Sequence, residues 1–124
     1  MEYGRATIVD DLASLELQEP REAAAAIYDR AIGLRLLHED RDSGEEHYLI
    51  RYPAGTKGRV HRHTAAHTIV VLEGRLQAND QVIGPGAYAH FHGGEPMRHQ
   101  AADGKACLFV TIFHGPFDVQ ILGD

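Results

Sequence analysis

From position 32 onward, apolar and polar residues alternate in short runs, broken by turn residues about every eight to twelve positions, as in an all-β sandwich or barrel. Ile32, Leu34 and Leu36 alternate with Gly33 and Arg35, and the turn Asp40-Arg41-Asp42-Ser43-Gly44 follows. Glu46, Tyr48, Ile50 and Tyr52 alternate with His47, Leu49 and Arg51 until Pro53 and Gly55 end the run. The β-branched stretch His67 to Leu72 predicts another strand, stopped by Glu73-Gly74. Arg75 to Ala78, Gln81 to Ile83, Tyr88 to Phe91, Met97 to Ala101, Ala106 to His114 and Phe117 to Leu122 complete the series. The pattern predicts roughly nine or ten short antiparallel strands, with no helical periodicity between them to support a parallel sheet.

The first 31 residues read differently. Glu19-Pro20-Arg21-Glu22 and the four alanines Ala23 to Ala26 predict a short helix, with proline and acidic residues in its first turn. We expect a single domain over 1–124, made of a lead-in at 1–31 and a barrel at 32–124. Neither an internal repeat nor a Gly/Ser linker interrupts it.

Composition narrows the function. The 124 residues are 44% hydrophobic and 24% charged, which suits a folded core rather than disorder. A formal charge of -6 argues against nucleic acid or an anionic membrane as partner. The lone Cys107 cannot form an intramolecular disulfide, and its strand context marks it as a small buried hydrophobe rather than a nucleophile. No apolar run approaches the roughly 20 residues of a membrane-spanning helix. Met1 to Arg5 lead into no secretory h-region, so a cytoplasmic location is expected.

Histidine is the residue out of proportion: nine in all, with none of the chain's aromatic residues being tryptophan. His61 and His63, spaced i and i+2 on a strand, leave one face about 7 Å apart, close enough to meet at one ion. His67 follows after only Thr64, Ala65 and Ala66. Three neutral imidazoles suit Zn, Fe, Ni or Cu. His38, His47 and His114 read instead as half-exposed strand residues, and His90 and His92, flanking Phe91, as an outward stripe with Tyr88.

Gly55, His61, His63, His67 and Gly74 together resemble the first signature of the cupin superfamily, G-x5-H-x-H-x3/4-E-x6-G, with histidine at the glutamate position. The second signature, G-x5-P-x-G-x2-H-x3-N, is present in part: Gly86 and Gly94 fit, His92 stands in the proline slot and Met97 in the histidine slot. The resemblance covers about residues 45 to 114 and implies a double-stranded β-helix, or jelly roll. It also implies a divalent metal (Fe, Zn, Ni or Mn) held by His61, His63, His67 and His99. His99 is two residues beyond Met97 and on the same strand face.

Such a set carries no negative ligand, so the ion keeps its full charge as a Lewis acid. Tyr48, Ile50, Tyr52, Ile69 and Val71 are expected to line a dry substrate pocket, with His92 and Met97 as further candidates. Cupins with only histidine ligands include diketone dioxygenases, so the resemblance implies an Fe(II)-dependent dioxygenase of a small oxygenated substrate, of diketone or phenol type. The alternative is a non-catalytic metal-binding sensor or partner module, similar to the cupin of ChrR-type anti-sigma factors. A metal-dependent isomerase is a third reading. Many cupins form homodimers, and the alternation Phe117, Val119, Ile121 offers a candidate contact.

Overall fold

A computed structural model describes residues 1–124. Ten strands form in chain order: β1 Gly33–Asp40, β2 Glu45–Tyr52, β3 His61–Arg62, β4 His67–Glu73, β5 Leu76–Ala78, β6 Gln81–Ile83, β7 Tyr88–Phe91, β8 His99–Ala101, β9 Cys107–Phe113 and β10 Gln120–Ile121. Every strand pair is antiparallel. One wall is a five-stranded sheet in the order β1-β2-β9-β4-β7. The facing wall combines β6-β5-β8 with β10-β3. His61 and Met97 join the two pieces by exchanging backbone hydrogen bonds of 2.8 and 2.9 Å. The architecture is the jelly-roll barrel that the resemblance implies, within the all-β class that the alternation predicts.

Alternation places the core between the walls. Tyr48, Ile50 and Tyr52 of β2, Ile69 and Val71 of β4, and Cys107, Phe109 and Phe113 of β9 all turn inward. Phe109, Ile69, Tyr52 and Leu76 have no exposed surface at all. Burial of large side chains on both walls supplies most of the driving force, at roughly 1.5–3 kcal/mol for each one fully removed from water.

Gly74 ends β4 with φ +72°, and a Cβ there would sit 2.2 Å from the Ala106 carbonyl oxygen. Only glycine lets the two backbones close at that corner.

Three strands differ from the alternation's limits. Leu36 stays 40% exposed because a bulge between Leu36 and His38 breaks the register at the sheet's edge. The final strand shrinks to Gln120–Ile121, the two residues that form ladder pairs, with Arg62 and His61. The strand expected from Met97 begins at His99, with Met97 making an isolated bridge.

The lead-in is attached to the barrel rather than preceding it. Its helix, α1, spans only Glu22–Ala25, too short to be stable without packing. Gln18 exchanges backbone hydrogen bonds with Leu34, the Asp29 amide donates to the Lys57 carbonyl while the Asp29 carboxylate accepts from the Lys57 amide, and Arg59 donates to the Ile27 carbonyl. These bonds lay Ile27 and Tyr28 against the barrel mouth.

Candidate metal centre and its cavity

His61, His63, His67 and His99 are all at least 95% buried, and their rings form a closed circuit inside the barrel. Ring centroids are 4.9 Å apart for His61 and His63, 5.0 Å for His63 and His67, 5.7 Å for His67 and His99, and 5.5 Å for His99 and His61. Imidazoles sharing one ion through nitrogens at about 2.1 Å have centroids about 4.5–5.3 Å apart for angles between square and tetrahedral. No three His, Cys, Asp or Glu side chains already form a closed ion cage, so binding must draw these rings slightly together.

The hydrogen bonds decide which nitrogens are available. His61 Nδ1 lies 2.7 Å from the Arg59 carbonyl oxygen, and His63 Nδ1 lies 2.5 Å from that of Asp118. A carbonyl only accepts, so both Nδ1 atoms carry the proton. Burial favours the uncharged ring: His61 is pushed down to about 4 and His67 to about 3, mainly by loss of water. His63 and His99 are lowered for the same reason. Neutral rings protonated at Nδ1 present a bare lone pair at Nε2. Nε2 of His61, His63 and His67 is buried without any hydrogen-bond partner, which is costly unless something binds there. The donor set therefore fits a transition metal, and the carbonyl partners orient it as outer-shell groups do in metal sites.

His99 is held from the other side. Its Nδ1 is 2.5 Å from the Tyr52 hydroxyl and 3.4 Å from that of Tyr28, while the two hydroxyls are 2.5 Å apart. Desolvation raises both phenols well above their usual range, so each keeps its proton at neutral pH.

A cavity of about 80 Å³ opens beside the rings, with His63 and His99 on its floor. Ile32, Leu34, Phe109, Phe113 and Phe117 are among its apolar walls. Arg21, at the mouth, packs its guanidinium 4.6 Å over the Phe117 ring and bonds the Tyr48 hydroxyl at 3.0 Å and Glu46 at 3.2 Å. Its half-exposed pair with Glu46 contributes little stability but keeps the charge fixed at the entrance.

Among the expected pocket residues, Tyr48 and Ile50 line this cavity. Tyr52 reaches the site only through its hydroxyl. Ile69, Val71 and Met97 are packed into the core instead of the cavity wall. His92 is a correction only as a pocket candidate: it is exposed on the outer face as the outward-stripe reading has it, its ring 5.2 Å from that of His90, because strand alternation turns both away from the inward Phe91. Phe117 lines the cavity, and Ile121 pairs with His61 along the backbone; Phe117, Val119 and Ile121 are each half-buried. Sequence reasoning missed Tyr28, Arg21 and Asp118, which reach the site from segments far away along the chain. Only the amphipathic break after Ala26, where Ile27-Tyr28 follows four alanines, hinted at the first.

The barrel and its inward histidines define a small cupin. The sequence matches the model of the ChrR cupin-like domain over residues 21–118, and the chain belongs to that family. No protein of curated function matches the sequence. Solved structures share the fold at low identity. A cupin-like protein of Thermotoga maritima is 13% identical, with a TM-score of 0.73, covering 86% of this chain and 87% of its own. An acetylacetone dioxygenase from Acinetobacter johnsonii is 16% identical with a TM-score of 0.72, covering 100% and 86%. The polyketide cyclase RemF from Streptomyces resistomycificus is 19% identical with a TM-score of 0.71, covering 98% and 86%.

Proposed function

We propose that this protein is a metal-dependent oxygenase, holding Fe(II) through its inward histidines and acting on a small oxygenated organic substrate of diketone or phenol type. The observation that carries the reading is the largely apolar cavity of about 80 Å³ with two of the four imidazoles among its lining residues. Sites of that kind take small, largely apolar molecules and orient them by a few polar groups. Bound Fe(II) supplies electrons to dioxygen and a point of attachment for an oxygen-bearing substrate.

The chain's own residues do the rest. Neutral imidazoles hold the ion without cancelling its charge. Phe113, Phe117 and Ile32 keep water from the reacting atoms. Arg21, with one nitrogen engaged by Glu46 and Tyr48, stands over the entrance. The fold shared with an acetylacetone dioxygenase supports this reading as an analogy of architecture.

A second reading has its own support in the family match: a metal-bearing module without turnover, serving as a sensor or partner-binding domain. One experiment separates them. Protein loaded anaerobically with Fe(II) is mixed with air-saturated buffer and a panel of diketones and phenols, with oxygen uptake recorded. Uptake that depends on one substrate class, and is lost in His61→Ala, supports the oxygenase. Substrate consumed without oxygen uptake would replace it with a redox-neutral isomerase or cyclase. No turnover at all, with zinc retained through purification, would leave the sensor.

A further inference from the structure

Tyr28, Tyr52 and His99 form a closed hydrogen-bonded triad whose protons can be counted. The contacts are Tyr28 to Tyr52 at 2.5 Å, Tyr52 to His99 Nδ1 at 2.5 Å, and Tyr28 to His99 Nδ1 at 3.4 Å. Neither hydroxyl has another hydrogen-bond partner within the protein. Two phenolic protons are present throughout. The variable is whether His99 carries its proton on Nδ1 or on Nε2.

If the proton is on Nε2, Nδ1 accepts. Tyr28 then donates to Tyr52, and Tyr52 donates to His99. Both hydroxyl hydrogens are used within the triad, and Tyr28 offers the cavity only lone pairs. If the proton is on Nδ1, as it must be for Nε2 to bind an ion, Nδ1 donates to Tyr52 and can accept nothing. Tyr52 passes its own hydrogen to Tyr28. One hydrogen is now left over. Tyr52 has no exposed surface on which to place it, whereas Tyr28 lines the cavity.

We propose that Tyr28 is a substrate-positioning residue whose hydroxyl turns from acceptor to donor when His99 engages the ion, so that the site recognises ligands bearing a hydrogen-bond-accepting oxygen. The proposal deepens the functional reading above and rests on its metal site. Tyr28 meets the ligand, while Tyr52 acts only through its neighbours. The same count requires coupling in both directions. A carbonyl oxygen seated against Tyr28 favours the tautomer that leaves Nε2 free, and so favours the ion by the same factor. For a protein that meets its substrate as a ketone or enolate, metal and substrate then strengthen each other without any movement of the backbone.

The test uses zinc, which is redox-silent, and two probes of one shape: cyclopentanone, an acceptor with no donor, and methylenecyclopentane, which has neither. Zinc-loaded protein should bind the ketone about five-fold tighter than the alkene, the usual worth of one net hydrogen bond. Saturating ketone should tighten zinc binding by a similar factor. In Tyr28→Phe both effects should vanish while zinc itself still binds. Long-range ¹H–¹⁵N correlation spectra should show His99 protonated on Nδ1 in the zinc protein, with the proton far downfield for so short a bond, and should do so in Tyr28→Phe as well.

Ketone preference that persists in Tyr28→Phe would overturn the proposal by assigning the contact to the ion itself. A zinc protein in which His99 stays protonated on Nε2 would overturn it too, leaving a site of three imidazoles. Absence of zinc binding would overturn the metal reading and this inference together. Zinc bound without ketone preference would overturn the inference alone.

Discussion

His63 donates from Nδ1 to the Asp118 carbonyl oxygen across 2.5 Å, although the two residues lie 55 positions apart. That single contact determines which nitrogen of the ring faces the interior. The segment carrying the carbonyl is itself pinned, because the Asp118 carboxylate accepts from the Thr64 amide at 2.7 Å and from its hydroxyl at 2.5 Å. Those bonds hold the Asp118 carboxyl below the usual carboxylate range. The loop after β3 and the segment before β10 are thus tied together around one ligand.

Cutting that tie should loosen the metal more than the fold. Asp118→Ala keeps the backbone carbonyl but frees the segment that bears it. Zinc affinity, measured by competition with a chromogenic chelator, should fall about ten-fold, the low end for loss of an outer-shell partner. Urea unfolding of the metal-free variant should change by only about 1 kcal/mol, since the lost hydrogen bonds are exposed. Equal losses in both measurements would make the contact merely structural.

Acid should unfold the metal-free protein early. A free imidazole titrates near 6.5, while burial holds His61 down at about 4 and His67 at about 3. Above pH 7 both states are neutral at these rings, and pH has no leverage. Below 6.5 the unfolded chain takes up protons that the folded barrel refuses, so stability falls by about 1.4 kcal/mol per pH unit for each such ring. The loss should run from about pH 6.5 down through the folded values and then level off. Urea midpoints at pH 8, 6 and 5 check this, and His67→Gln should flatten the slope.

Gly74 and Gly104 make a matched pair. Both have positive φ, at +72° and +63°, but only Gly74 faces a backbone atom where a Cβ would go. Gly104→Ala should cost about 1–2 kcal/mol, the left-handed penalty alone. Gly74→Ala should cost well over that, because β4 and the start of β9 must separate. Thermal unfolding of the two variants side by side measures the difference.

Phe109 supports both core and site. It has no exposed surface, and its ring is 4.9 Å from Tyr52 and 6.3 Å from His99. Phe109→Ala should destabilise the barrel by about 3–5 kcal/mol. Phe109→Leu should cost far less stability yet widen the cavity wall, which ligand-binding assays with larger ketones would reveal.

Much of the architecture was legible locally. The alternation over Glu46 to Tyr52 placed Tyr48, Ile50 and Tyr52 on one face, and all three are buried. Tyr88–Phe91 and Gln81–Ile83 formed at the limits the pattern suggested. A side chain's face on a strand depends only on its parity, so a period of two is readable without the partner strand. The spacing of His61, His63 and His67 was legible for the same reason, as was the shared face of Met97 and His99.

Spacing alone did not separate inward from outward histidines; the resemblance to the cupin signature did. His90 and His92 have the same i, i+2 spacing as His61 and His63, yet they face water. Their parity is set by the pairing of His67 with Phe91 and of Thr68 with His90. Tyr28 reaches the site through an isolated bridge to Gly58, and Asp118 through a hydrogen bond to a distant ring. The sequence by itself determined a barrel of short strands and a histidine-rich stretch able to hold an ion, because periodicity and ligand spacing are local properties. The tertiary structure alone decided the ring-to-ring geometry of the histidine set, the carbonyls that orient it and the tyrosine at its cavity. Those depend on register and on closure between segments dozens of residues apart, and no local pattern encodes them.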